Sequence, residues 1–105
     1  MKVTKTTENK YLFYQDGNNY ILNLGEIKKG DDTTTELLFE EIDNPEKVTV
    51  RAVCGCTTTN KKITSSTSFS LNIKYTRCEN PIDKTIVINE GKPSGLKIKI
   101  KGSCR

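Results

Sequence analysis

Ser68-Phe69-Ser70-Leu71-Asn72-Ile73-Lys74-Tyr75 sets an apolar side chain at every second position, with polar ones between. Successive side chains of an extended chain point to opposite faces, so this stretch reads as a strand with one dry face and one wet face. Leu96-Lys97-Ile98-Lys99-Ile100-Lys101 repeats the pattern, and Val48-Thr49-Val50-Arg51-Ala52-Val53-Cys54 puts Val48, Val50, Ala52 and Cys54 on one side. Thr85-Ile86-Val87-Ile88, Tyr20–Leu24 and a noisier run from Thr33 to Ile42 are strands of the same kind. No window shows apolar residues at helical spacing with caps, so long helices are not expected.

The turns agree with this reading. Asp16-Gly17 with Asn18-Asn19 separates Tyr11–Tyr14 from Tyr20–Leu24 and predicts a hairpin. Lys29-Gly30-Asp31, Asp43-Asn44-Pro45, Glu79-Asn80-Pro81 and Glu90-Gly91-Lys92-Pro93 punctuate the rest. About six or seven short strands joined this way describe a β-sandwich. At 105 residues the chain is one domain's worth of sequence, with no linker, repeat or low-complexity tract.

Composition narrows the chemistry. The chain is 33% hydrophobic and 29% charged, has a net charge of +4 and contains no histidine. Imidazole relays, Ser-His and Cys-His nucleophile pairs and histidine-ligated zinc are therefore excluded. No glycine-rich phosphate loop, nucleophile elbow or acidic calcium loop is present, so no cofactor, no small-molecule substrate and no enzymatic activity are expected. No stretch approaches the about 18 apolar residues of a membrane span. Met1–Lys10 lacks an apolar run of signal-peptide length, so residence in the compartment of synthesis, the cytoplasm, is expected. The richness in Lys, Asn and Ile is of the kind found with AT-rich genomes.

Leu22-Asn23-Leu24-Gly25-Glu26-Ile27-Lys28-Lys29-Gly30, then Thr35–Phe39, then Val50-Arg51-Ala52-Val53-Cys54-Gly55-Cys56-Thr57 closely resemble the bacterial immunoglobulin-like family called domain of unknown function 1573. That family opens on an FGxxxxG segment and carries VxxSCGCT. Its later strands resemble Ser68–Tyr75, Lys84–Asn89 and Leu96–Gly102 here. Val53 stands where the family usually has serine, and Asp43-Asn44-Pro45 replaces its NTG turn. The resemblance spans residues 20–102 and implies an immunoglobulin-like sandwich with a binding or structural role and no catalytic residues. The expected organisation is all-β: residues 1–19 as an added N-terminal aromatic hairpin and residues 20–105 as the sandwich.

Three features carry functional expectations. In an immunoglobulin-type topology, Cys54, Cys56, Cys78 and Cys104 all gather near one pole. They can be plain thiols, as is usual in the cytosol, a disulfide between two of them, or a thiolate zinc site. A bridge within Cys54-Gly55-Cys56 is the least expected pairing, since its ring is small. Tyr11, Phe13, Tyr14 and Tyr20 concentrate four of the seven aromatic residues in one-tenth of the chain. Either they pack as core, or Tyr11, Phe13 and Tyr14 form an exposed docking segment. Lys97, Lys99 and Lys101 form a basic row on one strand face. It reads as a solvated or edge-protecting face, or as a surface that steers toward an acidic protein. Nucleic acid is disfavoured as a target because arginine is scarce and no aromatics interleave with the row.

A lone immunoglobulin-like sandwich of this composition also looks similar to accessory proteins of phage particles. The expectation is a non-enzymatic structural protein of a virion, decorating or cementing a head or tail surface. Its partners would be other structural proteins of a large assembly, met through Tyr11, Phe13, Tyr14, Lys97, Lys99 and Lys101. The alternatives are a binding module of a bacterial complex and, as a third class, a redox or zinc protein built on the cysteine pole.

Overall fold

A computed structural model describes all residues from Met1 to Arg105. Nine strands form: β1 (Lys2–Lys5), β2 (Leu12–Asp16), β3 (Asn19–Ile27), β4 (Thr35–Glu40), β5 (Val50–Ala52), β6 (Thr57–Ser65), β7 (Ser68–Tyr75), β8 (Ile82–Ile88) and β9 (Leu96–Cys104). The only helical piece is a single 3-10 turn, Pro45–Lys47, which starts on proline where the missing N–H costs nothing. One sheet runs β1-β4-β7-β6 and the other β2-β3-β9-β8-β5. Lettered as immunoglobulin strands, the first is A-B-E-D. The second carries C, F and G (β5, β8 and β9), with β3 running parallel to G and β2 added outside it. The protein is an immunoglobulin-like β-sandwich.

The core forms where the inward rows meet. Leu37, Phe39, Phe69, Leu71 and Ile73 of the four-stranded sheet face Leu22, Ile86, Ile88, Ile98 and Ile100 of the five-stranded one, all essentially inaccessible to water. Phe39 and Phe69 stack with ring centroids 4.6 Å apart, which ties β4 to β7 at a paired position of the ladder. The alternation in Ser68–Tyr75 places Phe69, Leu71, Ile73 and Tyr75 in this core.

Two strands escape the apolar alternation on which the sequence reading rests. Thr57–Ser65 contains only Ile63 as a large apolar residue, yet β6 pairs with β7 along nearly its whole length. Its inward position at Lys61 is filled by the lysine stem. The ammonium it carries lies 5.1 Å from the centroid of the Phe69 ring and donates to the Val48 carbonyl at 2.7 Å. Partial burial of that charged group lowers the Lys61 pKa. A long side chain that lays its methylenes on apolar surface and keeps its charge at the rim does a core residue's work at a sheet edge. Lys2–Lys5 is likewise polar and pairs with β4.

A glycine pair sets the β3–β9 crossing. The register shifts between Asn23 and Glu26, and Gly25 there adopts φ 64°. A Cβ on Gly102 would lie 2.7 Å from the Gly25 carbonyl oxygen, closer than any side chain tolerates. Close approach of the backbones therefore needs glycine at 102, whereas glycine at 25 answers to its left-handed φ, a Cβ there meeting nothing within 4 Å.

Candidate functional site

The hairpin of β2 and β3 is closed by Gly17 and Asn18, with Gly17 at φ 63° as a tight turn requires. Its two faces differ sharply. Phe13, Tyr20 and Leu22 turn inward, and the Phe13 and Tyr20 rings stack at 5.2 Å and nearly parallel. Leu12 and Tyr14 turn outward and are 62% and 46% exposed. The aromatic cluster is thus split by strand alternation into a packing half and a surface half.

Tyr11 requires a correction. It is buried, and its hydroxyl donates to the Asp32 carbonyl at 2.9 Å. Burial, reinforced by the charges of Asp31 and Asp32, raises its pKa. The Lys5 ammonium caps the Tyr11 carbonyl. Tyr11 therefore belongs to the core and is not available for docking, and Phe13 is half-buried against that core. Residues 1–19 are divided between the two sheets, with β1 in one and β2 in the other, instead of standing outside a finished sandwich. Their removal would strip an edge strand from each sheet and a core tyrosine.

The lysine row lies where alternation places it, on the outward face of β9, but β9 is a central strand between β3 and β8. Edge protection is therefore not its role. Cross-strand register assembles the face in rows: Tyr14–Ile21–Lys99–Thr85, and Leu12–Asn23–Lys101–Asp83. Lys97 faces Val87, which faces Arg51. Lys101 bonds Asp83 at 2.8 Å, and Arg51 donates to the two Glu90 carboxylate oxygens from Nε and one terminal nitrogen. The hydrogen bond from Lys101, with its charge, holds the Asp83 carboxyl below the ordinary aspartate range; Arg51 does the same for Glu90. Lys97 and Lys99 make no ion pair. The outer face of β2, β3 and β9 thus carries an apolar step, Leu12, Tyr14 and Ile21, beside two ammonium groups that form no direct ion pair, although Lys99 lies near enough to Asp83 and Lys97 to Glu90 to act on their carboxyls.

At the pole beyond β5 the four cysteines resolve into two pairs with no free thiol. Cys78 pairs with Cys104, with Cα atoms 5.1 Å apart, tying the end of β9 to the segment before β8. Cys54 pairs with Cys56 across Gly55, with Cα atoms 5.3 Å apart. Both separations lie in the ordinary disulfide range. The pairing least expected from ring size forms because Cys54-Gly55-Cys56-Thr57 is a tight turn, closed by the Thr57 N–H donating to the Cys54 carbonyl. No three Cys, Asp or Glu side chains converge as a metal site requires.

A hollow of about 550 Å³ adjoins the Cys78–Cys104 bridge, but its walls mix Lys28, Lys74 and Arg77 with Asp31 and Asp32, so it presents no single charge. Comparison of this chain with protein-family profiles, curated proteins and solved structures finds no match.

Proposed function

We propose that this chain is a non-enzymatic structural protein that attaches to a protein neighbour through the outer face of β2, β3 and β9. One observation carries the reading: Leu12 and Tyr14 stand exposed on an edge strand, next to Ile21 and the cations Lys97 and Lys99, which form no ion pair. An apolar step with lysines at its border fits a partner surface of apolar residues flanked by carboxylates. The open edge of β2 adds a second mode of grip, since an extended segment can continue the sheet there. A repeated neighbour, as on a virion head or tail, would multiply a weak contact of this size through avidity.

The test is the double substitution Leu12→Asp and Tyr14→Asp in the full chain, followed by sedimentation with the assembled particles of the source cells. Retention of fold with loss from the particle fraction supports attachment by this face. Undiminished co-sedimentation removes the face from consideration. Recovery of the native chain with an envelope complex instead of particles would replace the virion reading by that of a bacterial binding module.

A further inference from the structure

The two cysteine pairs differ in the length of chain they close. Cys78–Cys104 spans 26 residues, with Cys78 exposed and Cys104 buried, the Cys104 N–H bonded to the Glu79 carbonyl at 2.7 Å. A bridge across that span holds the folded state more firmly than one across two residues. Cys54–Cys56 spans two residues and lies in the turn between β5 and β6. Cys56 is buried in the core cluster and is anchored through its carbonyl, which accepts from both the Thr76 N–H and hydroxyl. Cys54 is only half-buried, between exposed Val53 and exposed Gly55. Nothing lies within 4 Å of where a Cβ on Gly55 would be, so the turn is open to an incoming chain. The Cys56 N–H points at the Cys54 sulfur at 3.4 Å, a donor that favours negative charge there.

We propose that Cys54-Gly55-Cys56 is a thiol–disulfide exchange site, with Cys54 as the sulfur that meets the other molecule and Cys56 as the internal resolving partner. A thiolate of an external dithiol attacks Cys54 Sγ. The Cys54–Cys56 bond breaks, a mixed disulfide forms at Cys54, and Cys56 leaves as a thiolate that takes a proton from water. The second thiol of the dithiol, deprotonated to its thiolate, then attacks its own chain's sulfur and expels the Cys54 thiolate, which is protonated in turn. The dithiol loses two electrons and two protons and becomes a disulfide; the Cys54–Cys56 pair gains them. Run backward, the reduced pair passes its electrons to an accessible disulfide. Greater exposure of Cys54 than of Cys56 sets the direction of approach. Cys78–Cys104 shares that asymmetry, and the two-residue span of Cys54–Cys56, whose opening frees little chain, is what makes it the bridge that exchanges. A partner thiol held at Cys54 would rest against Val53, the exposed aliphatic side chain beside it.

The full oxidised chain is titrated in native buffer with dithiothreitol, alkylated, and mapped by peptide mass spectrometry. Cys54 and Cys56 are expected to become alkylated at a dithiol concentration at least about tenfold below that needed for Cys78 and Cys104. Simultaneous release of all four, or release of Cys78 and Cys104 first, overturns the proposal. Recovery of Cys54 and Cys56 as thiols after exposure to a disulfide oxidant also overturns it. A second measurement assigns the roles: Cys56→Ser incubated with glutathione disulfide should hold one glutathione at Cys54, whereas Cys54→Ser should hold none at Cys56. Equal labelling of the two variants, with unchanged circular dichroism, rejects the assignment.

Discussion

Phe39–Phe69 and Phe13–Tyr20 are both near-parallel ring pairs, at 4.6 and 5.2 Å, yet they do different work. The first joins β4 to β7 at the centre of a sheet and is sealed from water on both sides. The second lies within a hairpin whose outer strand has no further neighbour, and its rings are half-buried. Ring geometry alone therefore says little about energetic weight; the number of layers around the pair decides it. The same hairpin that packs Phe13 and Tyr20 inward shows Leu12 and Tyr14 outward, so an element that is peripheral for stability is the one available for contact.

That contrast is open to measurement. Phe69→Ala should cost about 3–5 kcal/mol in urea unfolding, since it removes a ring packed on Phe39 and takes the ring from beneath the Lys61 ammonium. Phe13→Ala should cost about 1 kcal/mol, because roughly half of the ring's burial is at stake. Equal losses at the two positions would break the distinction between centre and rim. Tyr11→Phe removes only the hydroxyl donating to Asp32 and should cost about 1 kcal/mol, with no loss of attachment if Tyr11 is purely core. Leu12→Asp with Tyr14→Asp should change unfolding free energy by no more than about 0.5 kcal/mol while abolishing attachment. A large stability loss there would mean that the outward face is structural after all.

The smallest expected effect concerns pH. Asp83, Glu79 and Glu90 have folded-state pKa values below their ordinary range: hydrogen bonds from Lys101, Lys84 and Arg51 are the main causes. A lowered folded pKa means that the unfolded chain binds more protons in acid. Their contribution is present above the unfolded carboxylate range, about pH 4, and is lost as pH falls through the lower folded values. Asp83→Asn should therefore lower stability slightly at neutral pH, converge with the unsubstituted chain in strong acid, and so shallow the acid limb of a stability-versus-pH curve. An unaltered acid limb would show that the Lys101 pair is screened to insignificance, as exposed pairs often are.

The strands built on alternating apolar residues were legible before the structure, and so were the hairpin at Gly17 and the outward lysines of Leu96–Lys101. Thr57–Ser65 was not, because threonine and lysine at its inward positions satisfy an edge that needs little apolar area. Lys2–Lys5 was missed for the same reason. Tyr11 and Tyr14 are indistinguishable by residue type, and only the phase of β2 separates the buried ring from the exposed one. At the cysteine pole, gathering near one end was foreseeable from strand order, but pairing depended on how the Cys54–Thr57 turn closes.

Alternation in Ser68–Tyr75 and its counterparts determined by itself that this chain forms paired strands with one dry face each, because side-chain direction in an extended backbone has a period of two. Which strands lie at edges, that the lysine row is central, and that Leu12, Tyr14 and Ile21 adjoin Lys99 were decided only by tertiary structure. Those facts depend on which distant segment pairs with which, and local side-chain pattern does not encode the identity of a strand's neighbour.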